Sequence, residues 1–243
     1  MDAVVYKKFS AVKFSDNWSV VDDKDVEFYK LADQYYKEYH FRPGHVRPRE
    51  NLLENIRFEF DKPPMDVYDL HKEFHIPTSY LISDKLATIL SEFNLQEHVI
   101  FPGIRYTVNG EERRDMHFLY FYNFLDELIE YPASSFWALN PRVLEDEYAG
   151  TKVQSEDIVE DDIKLNSWES KGRVTYILDD RSTVAEIAIK DLQSPLISEL
   201  DFFNLRLFNK GEYMSPELAS GIEENEITGI KYLQDCIFSV IRG

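Results

Sequence analysis

The chain is poor in the residues that build covalent or metal-stapled scaffolds: among 243 residues there is one cysteine, Cys236. A single thiol excludes an internal disulfide framework and a multi-cysteine zinc site. Nor does any run approach the roughly 20 consecutive apolar residues of a membrane-spanning helix. The opening Met1-Asp2-Ala3-Val4-Val5-Tyr6-Lys7-Lys8 lacks the basic-then-apolar order of a secretory signal. These absences set the expectation of a cytoplasmic protein that makes no use of a membrane. Positive charge is also short. Asp and Glu number 45 against 27 Lys and Arg, for a net charge of −18. Direct nucleic-acid binding is therefore not expected, because that affinity comes from cations meeting phosphates. A basic protein is the natural partner of such a surface, since complementary fields speed encounter. Plain solubility explains the same charge, and both readings stand.

What is present is a core. Apolar residues make up 44% of the chain and aromatics 14%, the composition of a folded globular protein. Val4-Val5-Tyr6 suits a strand, and the apolar spacing from Asp25 to Tyr39 suits a helix. Phe41 to Arg49, with Pro43, Gly44 and Pro48, reads as loop. Ile56, Phe58 and Phe60 alternate with charges as a half-buried strand should.

The middle of the chain is better defined. Tyr80-Leu81-Ile82 leads into Ser83, and Leu86, Ile89, Leu90 and Phe93 then fall on one helical face. Ser83 stands where an N-cap belongs. Val99 to Val108 reads as extended, Asn109-Gly110 as a hairpin turn, and His117 to Phe124 as a strand covered on both faces. From Glu145 to Asp162 acids dominate, and the stretch is expected to be a surface connection between two halves. Arg173–Leu178 and Val184–Ile189 suggest a hairpin, and Phe203, Leu205 and Leu207 a further strand.

One unit occurs twice. An offset of 132 carries Ser83 onto Ser215, Leu86 onto Leu218, Ala87 onto Ala219, Leu90 onto Ile222 and Leu95 onto Ile227. Pro216 then occupies the first helical position, where a missing N–H costs nothing. Gly221 falls where Ile89 sits, so the second helix has the poorer apolar stripe. Similarity among capped amphipathic helices is the alternative to true duplication.

The second unit carries a family resemblance. Asp201-Phe202-Phe203-Asn204-Leu205-Arg206-Leu207, then Tyr213-Met214-Ser215-Pro216-Glu217-Leu218, then Ile227-Thr228-Gly229-Ile230-Lys231-Tyr232 resembles a superfamily of bacterial immunity proteins of polymorphic toxin systems, the group containing immunity families eleven and forty-three. Leu81-Ile82-Ser83-Asp84-Lys85-Leu86 resembles the same pattern. The likeness covers about residues 64–130 and 196–233. It implies a non-enzymatic protein that binds and neutralises a cognate toxin domain. It assigns no site residues, because the matching positions are caps and core.

Chemistry is hard to find elsewhere. His71 and His75 stand at i and i+4, but Lys72 occupies the place of the base in the zinc-protease motif. Neither Ser83 nor Ser215 lies in a Gly-x-Ser-x-Gly elbow, so both are expected as structural caps. Cys236 lies in an apolar run and is expected to be a small buried residue. Gly103, Gly110, Gly172 and Gly211 sit in turn contexts, and none belongs to a phosphate-binding loop.

The expectation is an α+β protein: a mixed, largely antiparallel sheet with helices from two related strand–helix–strand units packed on it. It is expected as one compact domain over residues 1–243, with pseudo-repeated halves at about 64–144 and 163–243 and a lead-in of 1–63. The expected function is immunity, with Glu156, Asp157, Glu160, Asp161 and Asp162 as charged contacts and Trp137 and Trp168 as anchors. The toxin is expected to be basic, and no catalytic residue, metal or cofactor is expected. Two alternatives stand beside it: a hydrolytic enzyme using dispersed acids with His71, His75 or His117, and a non-catalytic scaffold subunit.

Overall fold

The structure is a computed structural model that describes residues 2–13, 18–20, 57–70, 78–122, 125–144, 153–171, 185–205, 208 and 211–242. The helix expected over 25–39, the loop at 41–49, His71, His75 and the strand expected at Arg173–Leu178 lie outside the described residues. The fold is α+β with mixed sheets. By internal packing the chain divides into two compact units: Ser10–Asn123 with Ser220–Lys231, and Met1–Phe9 with Phe124–Ala219 and Tyr232–Gly243. Each is assembled from separated stretches, whereas the expected halves were continuous.

The first unit holds a six-stranded sheet. Its elements are β2 (Trp18–Val20), β3 (Arg57–Phe60), β4 (Val67–Asp69), β5 (Ser79–Ser83), α1 (Asp84–Leu90), β6 (His98–Val108) and β7 (Glu111–Phe121). The order across the sheet is β2-β3-β6-β7-β5-β4, antiparallel throughout except for the parallel pair β3 and β6. Asn109 and Gly110 both have positive φ, which matches the right-handed twist of the strands they join. The run from Met116 to Phe121 lies between β5 and β6 and is largely buried, as its two-sided apolar pattern requires. Phe58, Phe60, Tyr68, Leu81, Tyr106 and Phe118 form the core.

The second unit holds β8 (Ser135–Leu139), β9 (Ile158–Ile163), β10 (Glu186–Gln193), β11 (Phe202–Leu205) and β12 (Gly211–Met214). The chain then forms α2 (Pro216–Glu224) and β13 (Ile230–Arg242), and the sheet also takes in β1 (Asp2–Ala11). Its order is β11-β12-β1-β13-β10-β8-β9, with β10 and β13 parallel. Tyr6, Phe136, Ile187, Phe203, Tyr213 and Phe238 lie in one cluster, and Tyr6 Oη donates to Leu200 O at 2.8 Å. Its buried hydroxyl is thereby satisfied rather than stranded.

The acidic stretch expected to be a connection is corrected at its end, because residues 158–163 form a strand. Ile163 is buried and Ile158 half-buried, while the four residues between them are exposed. With Ile158-Val159 at one end, Ile163 at the other and three acids between, β9 carries no alternation that a sequence pattern can detect.

Candidate functional site

Of the sequence-expected contact residues, Trp137 lies on β8 and Glu156, Asp157, Glu160, Asp161 and Asp162 lie on β9 or in the turn before it, at one end of the seven-stranded sheet. Among the described residues, β9 is its last strand, and it pairs antiparallel with β8, Ala138 facing Glu160 and Leu139 facing Ile158. Register shifts on both sides of Ala138 make the pairing irregular. Such irregularity, with charge, discourages a sheet edge from joining a second copy of itself.

Glu156, Glu160, Asp161 and Asp162 are exposed. Asp157 is different. It is 7% exposed, and its Oδ2 accepts from Gln154 N at 3.1 Å, while its carbonyl accepts from Asn140 N at 2.9 Å. That carboxylate is used within the turn that starts β9. Asp161 accepts from Lys190 Nζ at 2.8 and 3.0 Å and from Asp162 N at 2.8 Å. The Lys190 bond leads in holding the Asp161 carboxyl below the usual range, and the Asp161 bond leads in holding the Lys190 ammonium above its own.

Trp137, on β8, is half-buried, and its Nε1 donates to Ile189 O at 3.1 Å. Lys190 Nζ stands 5.6 Å from the centre of its ring, within cation–π range. The fold therefore gathers Trp137, Lys190 and Asp161 from three neighbouring strands. Trp168 is 39% exposed in a turn where Lys171 N donates to Trp168 O at 3.2 Å. Among the described residues, no hydrogen bond or ring contact joins it to that group.

Sequence reasoning missed Lys190 and the polar row beside it. Ser135 Oγ donates to Asp191 Oδ2 at 2.8 Å and Ser239 Oγ to Asp191 Oδ1 at 2.6 Å. Both serines sit opposite Asp191 on flanking strands. These residues come from three strands far apart in sequence, so no local motif announces them.

Ser83 and Ser215 occupy structural positions. Ser83 Oγ accepts from Leu86 N and Ser215 Oγ from Leu218 N, each at 3.2 Å. These are the N-cap bonds that relieve a helix's first unpaired donors. His117 Nε2 meets Asp84 Oδ1 at 2.5 Å, while its Nδ1 is enclosed without a partner. Cys236 Sγ donates to Phe238 O at 2.9 Å, and burial pushes its thiol up to about 11. Among the described residues, no group of three His, Cys, Asp or Glu side chains could hold a metal, and no helix is long and apolar enough to cross a membrane.

The arrangement offers an acidic strand at a sheet edge beside a half-buried tryptophan. It can attract a basic surface and present one large anchor to it. No protein-family model and no curated protein sequence matches the chain.

Proposed function

We propose that this protein is an immunity protein that binds and neutralises a cognate, basic bacterial toxin domain in the cytoplasm by stoichiometric association. The observation that carries the reading is β9, where Glu160, Asp161 and Asp162 stand exposed on the strand next to Trp137. The resemblance of the Ser-capped segments and of Ile227-Thr228-Gly229 to immunity families adds to it.

Charge sets the rate and selectivity of such an encounter, and binding energy concentrates in a few buried anchors. Trp137 suits the anchor role, because its ring lies beside the strand that the partner meets. Glu156, Glu160, Asp161 and Asp162 supply the field. Asp157 instead holds the turn from which that field is displayed. Its task is occupancy of the toxin, not turnover.

The test is co-expression with the toxin domain encoded beside this gene. Rescue of growth, with a one-to-one complex on size-exclusion chromatography, is the expected result. Undiminished killing with both proteins soluble would overturn the reading for that pair.

A further inference from the structure

The two sheets repeat one another more fully than their helices do. Without β9, the larger sheet reads β11-β12-β1-β13-β10-β8, and the smaller reads β4-β5-β7-β6-β3-β2. Taken in that order, the pairings correspond. β11 with β12 and β4 with β5 are antiparallel, as are β12 with β1 and β5 with β7. β13 with β10 and β6 with β3 are parallel, and β10 with β8 and β3 with β2 are antiparallel. A parallel pair within an otherwise antiparallel sheet is a distinctive choice, and both sheets make it at the same place.

Register agrees as well as order. The parallel partners Arg57 and Arg105 are 48 residues apart in sequence, and so are Asp191 and Ser239. The offset of 132 that carries Ser83 onto Ser215 also carries the start of β6, His98, onto the start of β13, Ile230. Each capping serine is held alike. Ser83 N donates to Asp66 O at 2.9 Å and Ser215 N to Asp201 O at 2.7 Å, and in each case the aspartate immediately precedes the first strand of the hairpin.

The correspondence breaks chain order at one strand. The counterpart of β7, which follows β6, is β1, which precedes everything else described. Pairing with β5 and β12 matches His117 with Lys7, since these lie opposite Ile82 and Met214. The match then carries Tyr122 onto Val12 and, with the offset of 132, Glu97 onto Gly229. Tyr122 N donates to Glu97 O at 3.1 Å, and Val12 N to Gly229 O at 2.8 Å. It also carries Met116 and Ile104, opposite one another on β7 and β6, onto Tyr6 and Cys236. The Cys236 thiol lies against the Tyr6 backbone, and the neighbouring Lys7 Nζ reaches Asp235 Oδ1 at 2.7 Å.

We propose that the chain is a tandem duplication of one β-β-β-β-α-β-β unit in which β1 serves as the closing strand of the second copy. β1 fills between β12 and β13 the place that β7 fills between β5 and β6. The Asn109-Gly110 turn that joins β6 to β7 has no counterpart joining β13 to β1. Among the described residues, β9 has no counterpart in the first copy.

A circular permutant tests this directly. Residues 1–13 are moved to follow Val240 through an Asn-Gly turn, which reproduces the β6–β7 connection. Amide exchange at β12 and β13 is expected to stay within about 3-fold of the parent, and a permutant with the moved strand scrambled is expected to lose ~100-fold protection there. A second permutant with an eight-residue Gly-Ser linker guards against a poor turn. If neither native-sequence permutant protects β12 and β13 better than the scrambled one, the duplication with a relocated strand is wrong.

Discussion

Asp66 and Thr228, 162 residues apart in sequence, hold one another through three hydrogen bonds. Asp66 N donates to Thr228 Oγ1 at 3.0 Å, while Thr228 N and Oγ1 donate to Asp66 Oδ2 at 2.9 and 2.8 Å. The other carboxylate oxygen accepts from Ser83 Oγ at 2.7 Å. One side chain thus ties the start of α1 to the entry of β13. The Ser-capped pattern and the Thr-Gly pattern, separate in sequence, meet at this carboxylate.

Thr228→Val removes the hydroxyl while keeping the shape, and leaves Asp66 N without its partner. The expected cost is ~1–2 kcal/mol, on the scale of a lost hydrogen bond with a partly buried partner left behind. Thr228→Ser should recover most of it. Urea melts of the three proteins check both statements, and a Thr228→Val melt matching the parent would remove the hydroxyl from the account.

The same site sets an acid dependence. Burial works to raise the Asp66 carboxyl, but hydrogen bonds from Thr228 N, Ser83 Oγ and Thr228 Oγ1, with the charge of Lys85, outweigh it and leave the group lowered. A lowered folded value means the contribution is fully present above the unfolded value of about 3.9 and is lost as pH falls through the folded one. Asp66→Asn should therefore show a shallower loss of stability below about pH 4 than the parent. Parallel acid limbs for the two proteins would contradict the assignment.

Two glycines should respond in opposite directions. At Gly229 φ is +89° and an added Cβ would lie 2.2 Å from Val67 O, backbone that cannot give way cheaply. Gly229→Ala is expected to cost on the order of 3 kcal/mol or more. At Gly221, in α2, an added Cβ would lie 3.8 Å from Phe93 and 4.0 Å from Ile89, ordinary contact distance. Gly221→Ala is expected to stabilise by roughly 0.5–1 kcal/mol through helix propensity. Thermal melts give both signs, and a destabilised Gly221→Ala would mean that the contact with α1 is tighter than this geometry.

Replacing Glu156, Glu160, Asp161 and Asp162 by their amides should slow association with the toxin roughly 10-fold at low salt and flatten its salt dependence. Trp137→Ala should act on dissociation instead, at a cost of ~2 kcal/mol or more if the ring is an anchor. Stopped-flow and surface-binding kinetics separate the two effects. Unchanged association for the amide variant would take β9 out of the interface.

Local chemistry was enough to place several elements from sequence. Ser83 and Ser215 are small polar residues before amphipathic runs, and both cap helices because an N-terminal donor needs a nearby oxygen. Asn109-Gly110 permits positive φ, so the β6–β7 hairpin was legible. The aromatic run ending at Phe121 was legible as an interior strand because both of its faces are apolar.

Strand order was decided only by tertiary structure, because sheet pairing joins residues whose separation leaves no trace in local pattern. β9 shows this most plainly. Its interior is acidic, and its strand character comes from pairing with β8. The grouping of Trp137 with Lys190 and Asp161, and of Asp66 with Ser83 and Thr228, likewise depends on which strands lie side by side. Sequence alone settled the acidic charge and the absence of a cysteine framework, since both are sums over residues. Where that charge is displayed is a matter of packing.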